Sequence, residues 1–394
     1  MYKLFYIIII IITFLSCSKS IVSNENEQEG KLKSTQDLVL ICKKKILIDD
    51  ETAPKSPYMQ IYRDSLGKTM LTFLNAYNNS IYIFDYQSGT FIKKISYKKE
   101  GPNGILGMAG YYIKNLDSIY VYNRPLVELD LTDNIGYIKN RISLRGKDVK
   151  WALSYPQYFF NTVCPIFEIN RHLILTGLCP FSIDKSSINK FLFTACIDIE
   201  NNKLEYHHLY PSEIYGNNAN WEDPLFMQVF PAYSPSGDLI YSFPESHKLY
   251  ISHWNEDIYY KTVYGGSNVA GTIRSINWNY HSARTPRELI YNHYLQQDLY
   301  AAILYDPWRK VYYRFMQKGI KDCTTHSQLT EKSIIVILMN EQFNYLGETL
   351  IGTGEKWNWE NSFVTKEGLN IEYIDSNDTA EACMNFRIFS IKKI

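Results

Sequence analysis

SIYIFDYQSGTFIKKIS (80–96) and SIYVYNRPLVELDLTDNIGYIKNRIS (118–143) decide the fold, because they are one pattern written twice. Each opens on Ser-Ile-Tyr and then alternates. Each has an apolar-Asp step, Phe84-Asp85 and Leu129-Asp130, then a glycine-bearing turn and a strand with Ile-Lys. A period of two is the signature of a strand whose faces meet different surroundings. Gln87-Ser88-Gly89 supplies hairpin chemistry, with a glycine free to take positive φ. Outward from these copies, MLTFL (70–74) precedes the first and GYYI (110–113) the second.

Weaker copies follow at 172–209, 227–264 and 300–351, and the pattern closes with 361–375 and 382–391. Ser236-Gly237-Asp238 and Asp306-Pro307 provide further turns. Six groups of about four strands are the spacing of propeller blades. The expected fold is all-β: a six-bladed β-propeller of four-stranded antiparallel blades over residues 37–394. Seven blades, or two β-sandwiches, are the alternatives. The run DLVLICKKKILIDD (37–50) is left over and is expected to close the ring in the last blade. Closure matters because a single blade cannot bury its own faces.

Two insertions interrupt the pattern, at about 211–224 and 265–297. The second contains Thr285-Pro286-Arg287-Glu288, a capping box with Pro at the first helical position, which predicts a short helix over 286–297. Long loops on a repeat scaffold commonly shape a binding face.

Ahead of the repeats stands MYKLFYIIIIIITFLSC (1–17). Its apolar run, Leu4–Leu15, is shorter than the roughly 20 residues of a membrane span and fits the core of a secretory signal. Leu15-Ser16-Cys17 resembles the lipobox of bacterial lipoproteins. That resemblance implies cleavage after residue 16 and a lipid on Cys17, whose acyl chains anchor by about 0.8 kcal/mol per buried CH₂. Residues 17–36 are polar and aperiodic, and are expected to form a flexible tether. Ser18 is not the Asp that marks inner-membrane retention, and Glu25, Glu27 and Glu29 come late for a surface-export signal. The expectation is a cell-envelope protein at the outer membrane, with the periplasmic face favoured over the cell surface.

Composition narrows the partners. The chain has 41 basic and 41 acidic side chains, and the leader removes only Lys3 among them. A nucleic-acid partner would call for a basic excess that is missing here. Tyr is abundant at 33 residues, with 19 Phe and 7 Trp, as suits half-buried strands. Six cysteines follow Cys17: Cys42, Cys164, Cys179, Cys196, Cys323 and Cys383. None has metal-like spacing. They read as small buried hydrophobes, with Cys42 and Cys383 as potential neighbours if the chain ends share a sheet.

Chemistry-bearing motifs are sparse. There is no G-x-S-x-G elbow, no H-E-x-x-H and no Walker-type loop. His207 and His208 are adjacent and so face opposite ways on a strand; His253 and His281 could meet a third ligand in space, which the sequence does not show. No metal site and no cofactor is expected. Glu222-Asp223 and Glu256-Asp257 read as solvated turns. Asp85, Asp130 and Asp198 sit at strand ends, where a carboxylate accepts backbone amides. Lys98-to-Gly104 reads as a tight inter-blade turn, since Pro102 removes a donor that a phosphate loop would use. Candidate binding residues are Trp221, Arg274, Trp278, Tyr280, Arg284, Trp308 and Arg309, because Trp and Arg most often anchor interfaces.

Lys99-Glu100-Gly101-Pro102-Asn103-Gly104, followed by Asp117-Ser118-Ile119-Tyr120-Val121-Tyr122 and Leu129-Asp130, resembles Bacteroidetes six-bladed β-propeller lipoproteins. Tyr305-Asp306-Pro307 with Val311-Tyr312-Tyr313-Arg314-Phe315 resembles, more narrowly, domain-of-unknown-function family 4221. The resemblance implies a propeller and a lipid anchor, and assigns no catalytic residue. The expected function is a lipid-anchored envelope module binding a protein or glycan on the face built by the two insertions. The alternative is an exported hydrolase or lyase with its active site in the central funnel.

Overall fold

The computed structural model describes residues 21–52, 56–145, 155–180, 183, 187–216, 219–324, 326–378 and 381–394. The leader and Cys17 lie outside the described residues. Six four-stranded antiparallel sheets form the ring. Blade 1 is Met59–Arg63, Thr69–Asn75, Ser80–Asp85 and Phe91–Ser96. Blade 2 is Met108–Asn115, Ser118–Asn123, Glu128–Thr132 and Ile138–Ser143. Blade 3 is Phe167–Ile169, His172–Thr176, Leu192–Asp198 and Leu204–Leu209. Blade 4 is Phe230–Tyr233, Leu239–Ser242, Lys248–Ser252 and Lys261–Tyr264. Blade 5 is Leu299–Asp306, Val311–Lys318, Ser333–Asn340 and Tyr345–Thr353.

Blade 6 takes three strands from the C-terminus, Trp357–Thr365, Gly368–Tyr373 and Cys383–Lys393. Its outermost strand, Gln36–Leu47, comes from the other end of the chain. The leftover run therefore closes the ring as expected. Ile46 of this strand packs in one cluster with Leu71 and Phe73 of blade 1 and Phe363 of blade 6. Middle strands are buried throughout, as in Ser80–Asp85, while the outer Phe91–Ser96 is mostly exposed. Burial on both faces explains why the middle strands are the apolar runs that stand out in the sequence. The turn glycines act as read: Gly89 has φ +70° and Gly237 φ +88°, a region costly for other residues.

Strand direction alternates, so each blade turns between its first two strands and its last two on one face. The middle turn and the connection to the next blade lie on the other face. Both insertions are inter-blade connections and share that second face. There they clasp each other. Asn220 Nδ2 donates to Trp278 O at 3.1 Å and to Thr285 Oγ1 at 3.0 Å, and Ile276 N donates to Asn220 O at 3.0 Å. The helix forms over Arg287–Gln296, but the expected capping box does not. Thr285 instead donates its hydroxyl to Glu222 of the other insertion, so the hydroxyl that would cap the helix joins the two loops.

The expected flexible tether, 17–36, is corrected over its described part. Ser23–Asn24 pairs with Ile273–Arg274 as a two-stranded ribbon. Asn26 is buried and donates to Ser267 O at 2.8 Å and Ala270 O at 2.7 Å. Leu32 N reaches Asn268 Oδ1 at 2.8 Å, and Thr35 N reaches Leu346 O at 2.7 Å. The segment is a strap across the seam of blades 4 and 5. It docks through side-chain amides and not through an apolar stripe, so nothing periodic marks it in the sequence.

Among the described residues, Cys42, Cys164, Cys196, Cys323 and Cys383 are free thiols. Cys42 and Cys383 do lie on paired strands, but Cys42 opposes Ile388 while Cys383 opposes Leu47. A five-residue offset separates them by about 17 Å, far beyond disulfide reach. Cys164, Cys179 and Cys196 are buried, whereas Cys42 is exposed.

Candidate functional site

The first strand of each blade lines the ring axis, and these strands end at the funnel mouth on the face opposite the insertions. The funnel has a volume of about 780 Å³, within the range of ligand sites. Its walls carry Tyr62, Tyr112, Phe167, Tyr233, Tyr305 and Trp308. Tyr233 and Trp308 are 49% and 41% exposed, which leaves ring faces open to a ligand. Neighbouring rings hold the walls in place: Tyr233 against Phe167 at 5.3 Å, Tyr305 against Tyr312 at 4.9 Å. Ring pairs at these separations add about 0.5–1.5 kcal/mol beyond their burial. The walls are therefore preformed.

The floor is apolar, with Met59, Ile166, Ala232, Ile303 and Phe363. Of the polar groups near it, Gln60 and Thr162 are engaged by the fold, while Ser362 Oγ is buried with no hydrogen-bond partner among the described residues. Gln60 Nε2 donates to Ile113 O at 3.2 Å while Ile113 N donates to Gln60 Oε1 at 2.8 Å. Thr162 accepts from Met59 N at 3.0 Å and donates to Asn361 Oδ1 at 2.6 Å. At the rim, Tyr305 donates to Glu341 at 2.7 Å, and desolvation with that bond pushes its phenol up to about 12. Among the described residues no group of three or more His, Cys, Asp or Glu is placed to hold a metal ion.

The sequence candidates separate. Trp308 is at the mouth, with Arg63 5.9 Å from its ring. Arg309 faces the turn: it bridges Asp306 at 3.1 Å and the carbonyls of Lys366 and Glu367 at 3.1 and 2.7 Å. Trp221 is corrected as an interface anchor. It is 1% exposed, and its Nε1 donates to Ile214 O at 3.0 Å inside the first insertion. Trp278, Tyr280, Arg274 and Arg284 lie on the second insertion. Trp278 is 36% exposed, its indole bound to Ala283 O at 2.9 Å, and Tyr280 stacks on His281 at 4.2 Å.

The carboxylates split too. Asp85 accepts Ser88 N at 2.6 Å and pairs with Lys68 at 2.6 Å, which with the backbone bond holds it near 2. Asp198 accepts the amides of Glu200 and Asn201. Asp130 is corrected: it lies within its strand, fully buried, bound by Arg141 at 3.1 Å and by Asn123 at 3.4 Å. Burial there outweighs the arginine and raises its carboxyl to about 6. Glu222 holds Thr285, and Asp223 caps the short helix Pro224–Met227, so this pair is structural and not merely solvated. His208 is buried against Tyr241 and His253 O, and desolvation lowers it to about 4, while His207 meets Asp257 at 3.0 Å.

On the insertion face a second cavity of about 380 Å³ lies beside Tyr294, Lys332, Trp357, Trp359 and Glu360. Lys332 Nζ is buried and donates to Tyr294 O and Gln297 O at 2.8 Å each, closing the C-terminal end of the helix. Burial lowers its amine to about 7.

Apart from Trp308, sequence reasoning did not identify the funnel walls, which come from one or two residues on each of several short inner strands. The legible signal was the aromatic at or next to the end of three first strands, Tyr62, Tyr233 and Tyr305.

Six blades around an apolar, aromatic-walled funnel define a β-propeller. The model of a domain of unknown function, DUF4221, matches residues 38–350, and the chain belongs to that family. A solved DUF4221 member from Bacteroides vulgatus is similar at 22% identity and TM-score 0.78, covering 92% of this chain and 99% of that one. An exported protein from Bacteroides fragilis is similar at 11% identity and TM-score 0.52, covering 94% and 98%. Both likenesses are of fold. Among curated proteins, none matches this sequence.

Proposed function

We propose that this chain is a ligand-binding module of the bacterial cell envelope, held by a lipid on Cys17, which receives its ligand at the funnel mouth. The observation that carries the reading is the funnel itself: exposed aromatic rings over an apolar floor whose neighbours Gln60 and Thr162 are already engaged. The hydrolase or lyase alternative requires titratable groups converging at the axis. Among the described residues, the one carboxylate lining this mouth, Glu341, is bound by Tyr305. The expected ligand, an envelope protein or glycan, was placed on the insertion face. The funnel is the better place, and at its volume it takes one protruding group at a time.

The test is affinity purification of the tagged full-length protein from native membranes, beside the double variant Tyr233→Ala, Trp308→Ala. Both rings are half-exposed, so their loss should cost about 1–2 kcal/mol through the Tyr233–Phe167 pair and the Arg63 contact, leaving the ring folded, which thermal unfolding of the variant checks. The expected result is a ligand recovered with the parent and lost with the variant. Equal recovery with both, or none with either, would sink the funnel as the site.

A further inference from the structure

The charged side chains lining the mouth are Arg63, Lys310 and Glu341. Glu341 is occupied by the Tyr305 hydroxyl. Arg63 and Lys310 have no carboxylate within ion-pair reach among the described residues, and Arg63 meets only the Trp308 ring. Elsewhere cations near the core do find partners, as Lys318 finds Asp298 at 2.7 Å and Arg141 finds Asp130 at 3.1 Å. Two uncommitted cations thus stand over an apolar cup. Inside the cup one polar atom is left over: Ser362 Oγ is buried with no hydrogen-bond partner.

This pattern selects by chemistry. A heavily hydroxylated group would lose its bonds to water and find a single free hydroxyl at the floor, a cost of about 1–3 kcal/mol for each unmet polar group. An apolar body would gain about 25 cal/mol for each Å² buried, more if its ring stacks on the walls. Charge complementarity then fixes the sign of the end left at the rim, which Arg63 and Lys310 line.

We infer that the funnel takes a group with an apolar, aromatic-sized body and one anionic end, such as an aryl carboxylate. The inference rests on the funnel being the ligand site and adds the class of ligand. It makes Arg63 and Lys310 specificity-determining residues, with the rings supplying affinity common to all ligands.

Three probes share one body and differ in charge: 3-phenylpropanoate, 3-phenylpropanol and 3-phenylpropylammonium. Each is titrated calorimetrically into the full chain carried in zwitterionic lipid nanodiscs. The acid should bind about tenfold more tightly than the alcohol, the difference expected for one charge-assisted contact, and the ammonium most weakly. The pair Arg63→Gln, Lys310→Gln should bring the acid down to the alcohol while leaving the alcohol unchanged. Tyr233→Ala with Trp308→Ala should weaken all three. Equal binding of acid and alcohol, abolished only by the ring variant, would overturn the charge inference and leave the funnel as the site. Preference for the ammonium would overturn it likewise. Binding of none of the probes would remove both the inference and its support.

Discussion

Glu245 is a carboxylic acid with no room for a charge. It is fully buried, Tyr215 donates to its Oε2, and its Oε1 has no partner. Burial raises its carboxyl well above the usual range. In the folded protein it therefore keeps its proton to a higher pH than in the unfolded chain, where it titrates near its ordinary value of 4.5. The folded state binds the extra proton, so this residue's contribution is fully present below the unfolded value and is lost as pH rises. Glu245→Gln removes that dependence. Urea unfolding at pH 4, 6 and 8 should show the parent losing stability relative to the variant at each step upward, and a constant difference would refute it. In the sequence, Glu245 sits in Phe243-Pro244-Glu245-Ser246-His247, which reads as an ordinary turn. Its burial comes from Tyr215 and the strap, both distant along the chain, so no local pattern could announce it. Trp221 was misread for the same reason: Trp on a long loop signals an anchor, and only the folded insertion shows that it anchors inward.

At the level of elements, the strap is where sequence and structure diverge most. Its polarity was read correctly, yet polarity marks disorder only when the amides have no carbonyls to meet. Asn26 meets two carbonyls, and its Oδ1 accepts the Tyr264 hydroxyl at 2.8 Å. Asn26→Ala strands buried groups and should cost about 1–3 kcal/mol. The blades do not depend on the strap for pairing. Limited proteolysis should therefore cut the variant first between residues 22 and 35, with the 36–394 product persisting. Parental resistance in that stretch would show that the strap does not need Asn26. The strands, by contrast, were legible wherever they are buried on both faces. The inner strands were less so: Met59–Arg63 was passed over because it is short and ends in a charge, yet it supplies Tyr62 and Arg63 to the mouth.

Across the whole molecule, the repeat was the strongest signal because the ring repeats one unit six times and hides its ends. Gln36–Leu47 beside Cys383–Lys393 joins the termini in one sheet, so a pattern that looks unfinished at both ends of the sequence is finished in space. The site is a property of the ring and not of any blade, which is why it could not be read from one motif. The anchor belongs to this scale too. Cys17→Ala should move the protein from the membrane fraction to the soluble fraction, and its retention there would disprove the lipid as sole attachment.

The strap has one more effect if that lipid is present. Val22 is fixed to the insertion face through Ser275, with bonds of 3.0 and 2.9 Å in the two directions. Only five residue steps separate it from Cys17, a reach of at most about 17 Å. So short a mooring allows the ring little freedom to turn over. With the lipid in place the insertions would be held toward the bilayer and the funnel would open away from it, so the proposed anchor would also aim the protein.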